Sequence, residues 1–310
     1  MTHESVNSPI AIPANLRTGM GRVLVLGGGF SGQVFGRCLA RLGVPVTLTW
    51  REVPPSVGEE SDNLHWIRFD PANGHLPCGE DLLGTTHVLV TIPPDRAGRD
   101  PVLTHLAAEL QSLPLVWVGY LSTTGVYGDH GGGWVDESTP TAPGLERSRV
   151  RLACETVWRQ QNLPLQVFRL PAIYGPGRTP FRELLAGQSR LIHKPGQVFC
   201  RIHVDDLTGA LLHCMALPAD RRPDTLIVAD TTPCPSSESL GYAAHLLGCK
   251  LPDVQSWERI ESAMSAMARS FWSENRRVSS LLLRKGLGYR LLCPSYREGY
   301  QRCLVGESVR

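Results

Sequence analysis

The residues that most plainly could do chemistry are Gly27-Gly28-Gly29-Phe30-Ser31-Gly32, which satisfy G-x-G-x-x-G. In this pattern the first glycine permits a tight turn, the second lets a pyrophosphate reach the backbone, and the third allows close helix–strand packing. A helix opening at Phe30 aims its free N–H groups and positive dipole end at the phosphates. Gly27, Gly29, Phe30, Ser31 and Gly32 are therefore expected to hold a dinucleotide, the bland alternative being a tight turn alone. Arg51 stands 19 residues beyond Gly32, about where an NAD-binding loop places an acid on the ribose 2′-hydroxyl. A guanidinium there forms a charged fork to a 2′-phosphate, which points to NADP, while the adjacent Glu52 keeps NAD open. Asp70 is expected to accept from the adenine amino group, or to be a plain strand-end carboxylate before Pro71.

These residues need a frame. Residues 22–26 (RVLVL) are a short apolar run ending at glycine, which suits a strand buried on both faces. The apolar positions Phe30, Val34, Phe35, Cys38, Leu39 and Leu42 follow a helical period closed by Gly43. Strands are expected over 44–50, 64–69, 86–92, 115–121 and 165–169, with helices over 101–111 and 145–161. Strands and helices in alternation imply an α/β, Rossmann-type doubly wound parallel sheet. After about residue 175 the text becomes rich in Pro and Gly, as in a smaller, loop-rich unit. The division expected is a dinucleotide-binding domain of residues 21–174 and 198–232, and a substrate-binding subdomain of 175–197 and 233–310. Residues 1–20 read as a loose tail without the basic and apolar regions of a signal peptide.

Composition narrows the function classes. The net charge is +2 and no dense Lys/Arg stripe occurs, which gives no case for nucleic acid or a membrane surface. No apolar run is long enough to span a bilayer. The nine cysteines are odd in number, widely spaced and without a C-x-x-C pair, so reduced thiols in a cytoplasmic protein are expected, with no metal site.

Three further segments join the glycine loop: STTGVYG at 122–128, RLPAIYGPG at 169–177 and RIHVDD at 201–206. In this order and spacing they resemble the extended short-chain dehydrogenase/reductases, including NAD-dependent epimerases and dehydratases, and within them the atypical, YeeZ-like branch. The resemblance runs over nearly the whole chain from about residue 21. It implies that Thr123, with Ser122 beside it, bonds a substrate carbonyl or hydroxyl. It also implies that Pro171, Ala172 and Ile173 lie against the nicotinamide, and that Thr91, Ile92 and Pro93 pass along the cofactor. A homodimer through two helices flanking the active-site strand is the family's habit.

The resemblance breaks at the proton relay. The family's Y-x-x-x-K pair should fall near residues 146–155, where alignment puts Arg147 at the tyrosine and Arg151 at the lysine. No Y-x-x-x-K occurs in the chain. Arg151 keeps the positive charge for the ribose, but a guanidinium stays protonated and cannot carry a proton. Tyr127, Asp129, His130 and Tyr174 are the stand-ins near Thr123, with Tyr127 placed first. His203 reads as a structural hydrogen-bonder and Asp205–Asp206 as a helix start. The arginine that sugar-nucleotide enzymes place four before this His is Phe199 here, which weighs against a nucleotide sugar. Arg201, and Arg178 in the loop, remain for a small anionic group.

The expectation is an NADP(H)-binding oxidoreductase or epimerase-like enzyme on a small polar metabolite. A non-catalytic NADP(H)-sensing module and a redox-neutral lyase or isomerase are the alternatives.

Overall fold

The computed structural model describes residues 20–52 and 62–308, with Ile10, Pro13 and Leu16 before them. Most of the expected N-terminal tail lies outside the described residues, although Leu16 is buried in the main core.

In chain order the strands are β1 (Arg22–Leu26), β2 (Val46–Trp50), β3 (Leu64–Arg68), β4 (Thr85–Val90), β5 (Trp117–Thr123), β6 (Trp134–Val135), β7 (Leu165–Leu170), β8 (Ala172–Tyr174), β9 (Leu191–His193), β10 (Arg201–His203), β11 (Thr225–Ile227), β12 (Val254–Ser256) and β13 (Arg277–Val278). The α-helices are α1 (Phe30–Ala40), α2 (Gly79–Leu82), α3 (Pro101–Ser112), α4 (Glu146–Arg159), α5 (Phe181–Leu185), α6 (Val204–Ala216), α7 (Ser236–Leu247), α8 (Trp257–Ile260), α9 (Ala266–Ser270) and α10 (Tyr296–Ser308).

Seven strands form one sheet in the order β3-β2-β1-β4-β5-β7-β11, every pair parallel. This is the doubly wound Rossmann arrangement, with its direction of winding reversing between β1 and β4. The central strands are apolar on both faces because helices cover both. On one face Phe35 and Leu39 of α1 and Leu207 and Leu211 of α6 pack on Val23, Val25 and Leu48. On the other, Val102, Leu106 and Leu110 of α3 and Cys154 and Trp158 of α4 pack on Leu24, Val88 and Val118.

Helix starts follow local chemistry. Asp100 caps α3, its carboxylate accepting from Val102 and Leu103 N–H at 2.9 and 3.1 Å, with Pro101 in the first helical position. Its other oxygen accepts from Trp158 Nε1 at 2.8 Å, which ties α3 to α4. His203 caps α6 through Nδ1, and Asp206 is buried, accepting from the N–H groups of Leu292 and Cys293. Gly43, at φ +81°, ends α1 in the left-handed region glycine tolerates.

A smaller layer of α5, α7 and α10 packs around Tyr174, Phe181, Tyr296 and Tyr300. The intervening chain does not stay within it: Leu283 and Tyr289 return to the main core, and β13 pairs in parallel with β6. No helix among the described residues is long and apolar enough to cross a membrane.

Candidate functional site

The glycine loop lies at the C-terminal edge of the sheet, between β1 and α1. Gly27 has φ +112°, and a Cβ there would collide with Thr91 Oγ1, which donates to Gly27 O at 2.7 Å. Gly27 N–H in turn donates to Thr49 Oγ1 at 2.8 Å, so the loop is tied to both β2 and the end of β4. A Cβ on Gly32 would strike Gly27 O, which is why the helix can start so close to the strand. Gly29 differs: nothing lies within 4 Å of where its Cβ would be. No side chain caps α1 and its first turn holds no acid, so the N–H groups and dipole there face open space.

That space is a cavity of about 1110 Å³, lined by Gly27, Gly29, Arg51, Asp70, Ile92 and Pro93 among others. Phe30 and Ser31 form the first turn of α1 without lining it. The bare Gly29 and the uncapped N–H groups fit a dinucleotide pyrophosphate. Arg51 reaches the cavity with a side chain 72% exposed, and Glu52 accepts from its Nε and Nη2 at 3.1 and 2.7 Å. Asp70 is not free: it accepts from Asn73 Nδ2 at 2.7 Å and Arg68 Nη2 at 2.8 Å, which hold its carboxyl below the usual range. Arg68 also donates to Arg51 O and stacks over Trp50.

A second cavity, of about 770 Å³, opens at the ends of β5 and β7. Both cavities are lined by Pro93, Pro94, Asp95 and Arg96, so the loop after β4 is a wall they share. Thr123, Arg151, Pro171 and Ala172 line the second cavity, while Ile173 packs against the main core. Thr123 Oγ1 accepts from Gly125 N–H at 3.1 Å, which leaves its own hydrogen to give. Arg151 donates to Tyr120 Oη and Leu121 O at 3.2 and 3.1 Å. Arg147, one helical turn earlier, lines the same cavity but is engaged by α9, donating to Ser270 O and Oγ and stacking on Phe271 at 4.8 Å.

Six of the expected chemical groups, Ser122, Tyr127, Asp129, His130, Tyr174 and Arg201, do not line this cavity. Ser122 donates to the buried Glu155, whose oxygens accept from Arg169 Nε and Nη2 at 3.2 and 2.8 Å. Tyr127 completes that network, accepting from Arg169 Nη1 at 3.1 Å, and burial pushes its phenol above the ordinary range. The turn at 124–127 that Thr123 caps rotates Tyr127 inward, so the expected acid is a buried structural partner. Tyr174 is buried among His203 and Tyr300, and burial raises its phenol well above normal. Arg201 is buried too, donating to Cys234 Sγ and Ser239 Oγ at 3.0 and 2.9 Å. Asp129 and His130 serve the backbone of Asn275: Asp129 Oδ1 accepts from its N–H at 2.7 Å, and His130 N–H donates to its carbonyl at 3.0 Å.

Asn275 belongs to a segment that sequence reading passed over. Glu274 and Arg276, on either side of it, line the second cavity. Arg276 Nη1 donates to Gly128 O at 2.6 Å and to Glu274 Oε2 at 2.8 Å. Among the described residues no group of three or more His, Cys, Asp or Glu is placed to hold a metal ion.

No protein-family model matches the chain, and no curated protein does. Among solved structures, it is 40% identical to a functionally unknown conserved protein from Silicibacter pomeroyi, with TM-score 0.83 over 92% of this chain and 99% of that one. The chain belongs to the family of that protein. It is also similar to the UDP-glucuronic acid 4-epimerase of Bacillus cereus in complex with NAD, at 16% identity and TM-score 0.72 over 91% of this chain and 96% of that one. MoeE5 in complex with UDP-glucuronic acid and NAD is 21% identical, with TM-score 0.71 over 91% and 97%. Those two likenesses show the fold alone.

Proposed function

We propose that the protein is an NADP(H)-dependent enzyme of the atypical, YeeZ-like branch of short-chain dehydrogenase/reductases, working as an oxidoreductase or epimerase-like catalyst on a small polar metabolite. The observation that carries this reading is the pair of cavities joined at 93–96, one opening on the bare Gly29, the other on the free hydroxyl hydrogen of Thr123. A dinucleotide laid across that junction puts its pyrophosphate at α1 and its nicotinamide against Pro171 and Ala172. When bound, it supplies a hydride donor or acceptor. Thr123 then orients a substrate carbonyl or hydroxyl, and Arg151 holds the ribose. The layer of α5, α7 and α10 forms the substrate-side subdomain in this reading, and the odd number and wide spacing of the nine cysteines, without a C-x-x-C pair, support a reducing, cytoplasmic setting.

Arg51 supports NADP over NAD, because it reaches the first cavity and is exposed enough to exchange Glu52 for a 2′-phosphate. Fluorescence titration with NADPH and NADH tests it. The wild type is expected to prefer NADPH, and Arg51→Ala to weaken NADPH about tenfold while changing NADH by less than about twofold. An unchanged preference in Arg51→Ala would falsify the NADP assignment.

A second reading has one observation in its favour. Arg147, where the family keeps its proton-carrying tyrosine, is spent holding α9. A module that reports NADP(H) state to a partner needs no proton carrier at that position. NADPH oxidation with any member of a carbonyl, imine or enone panel separates the two, since the reporting module consumes none.

A further inference from the structure

The second cavity needs a group that can carry a proton, and α4 does not provide it. The titratable side chains lining the cavity, arginines apart, are Asp95, Glu146, Cys200 and Glu274. Asp95 is committed to its own loop, accepting from Ala97 and Arg99 N–H at 2.8 and 2.9 Å and from the Arg99 guanidinium. Glu146 is exposed and paired with Arg149 at 2.7 Å. Burial pushes the Cys200 thiol up to about 11, and its sulfur accepts from Val278 N–H.

Glu274 has none of these engagements on one of its oxygens. Its side chain is 8% exposed, Oε2 accepts from Arg276, and Oε1 is buried without a hydrogen-bond partner among the described residues. A buried carboxylate oxygen left unpaired costs free energy that a structural role does not recover. The fold also makes room for it, since a Cβ on Gly144 would lie 3.0 Å from Oε1. Arg276 anchors the carboxylate from behind through Gly128 O, and Asp129 and His130 hold the intervening Asn275.

We propose that Glu274 is the proton carrier of this site, standing in from β13's leading edge for the tyrosine that α4 lacks. The proposal rests on the dinucleotide reading above. In the oxidative direction, a substrate carbinol held by Thr123 gives its O–H proton to Glu274 Oε1. The C–H bond breaks with its hydrogen and electron pair leaving together, as hydride, for the oxidised nicotinamide dinucleotide, and the electron pair freed on oxygen forms the C=O bond. The carbinol is oxidised, the dinucleotide is reduced, and the proton rests on Glu274 until solvent takes it. In the reverse direction the protonated carboxyl returns it.

A carboxylate at the reacting face also senses the charge of the ring, which is positive only in the oxidised dinucleotide. Calorimetric Kd values for NADP+ and NADPH, with NAD+ and NADH in parallel, therefore test the position without any substrate. Glu274→Gln is expected to weaken the oxidised form about tenfold relative to the reduced form, and Glu274→Asp to restore most of the difference. Glu274→Ala gives the same measurement should the glutamine variant not fold. Alcohols oxidised by the wild type are expected to react about a hundredfold more slowly with Glu274→Gln. An oxidised-to-reduced affinity ratio unchanged in Glu274→Gln, or equal weakening of both forms, overturns the proposal while leaving the cofactor reading intact. A wild type that binds none of the four dinucleotides overturns both.

Discussion

Single atoms separate binding from folding in the glycine loop. Gly27 holds a positive φ against Thr91, whereas Gly29 has an ordinary φ of −76° and empty space beside it. Alanine at Gly27 is therefore expected to lower stability by about 2 kcal/mol or more, through backbone strain and collision. Alanine at Gly29 is expected to leave the melting temperature nearly unchanged and to cut NADPH affinity at least about tenfold, because the methyl occupies the pyrophosphate's approach. Thermal melting beside a ligand titration checks both, and a large loss of stability in Gly29→Ala would count against this division of roles. The pattern G-x-G-x-x-G was legible in the sequence because each glycine answers a backbone need. Tyr127 was not: nothing in its local text says that the turn capped by Thr123 points its phenol at Arg169 rather than at the cavity.

Whole elements are positioned by buried charge as well as by apolar faces. Arg169 on β7, Glu155 on α4, Ser122 on β5 and Tyr127 in the turn after it form one hydrogen-bonded cluster. Removing one member of a buried ion pair strands the other, so Glu155→Ala is expected to cost about 3–5 kcal/mol, read as a lowered denaturant midpoint. A loss below about 1 kcal/mol would show that water replaces the carboxylate and that the cluster does not fix the strand. The strands β1, β4 and β5 were readable from apolar runs, since parallel strands covered on both faces tolerate little else. The helix α4 was expected over 145–161, and alignment with the family's Y-x-x-x-K pair singled out Arg147 and Arg151, which do line the cavity. The two-residue strands β6 and β13 carry no such signal. Their pairing joins residues about 140 positions apart, and together with the bonds of Asp129, His130 and Gln197 to residues 274–275 it brings Glu274 and Arg276 to the site.

Across the molecule, proton linkage opposes stability at one point in particular. Asp230 is buried, with Oδ1 accepting from Thr232 N–H and Oδ2 lacking a partner among the described residues. Burial raises its carboxyl from 3.8 to about 7. Between those values the folded chain holds a proton that the unfolded chain has released, so this contribution is complete below 3.8 and is lost as pH rises through about 7. Asp230→Asn keeps the acceptor for Thr232 and removes the charge. Its melting temperature is expected to exceed that of the wild type at about pH 8, with the gap closing toward about pH 4. A gap independent of pH would assign the effect to packing instead.

The reach of β13 back to β6 also has a consequence for how the molecule is made. All residues lining the first cavity lie between Gly27 and His105, whereas the wall of the second includes Glu274, Arg276 and Val278. A ribosome must deliver more than 270 residues before that wall can exist. The lining of the cavity proposed above for the nucleotide is thus made well before that of the second, while the core beneath it still awaits α6, Leu283 and Tyr289.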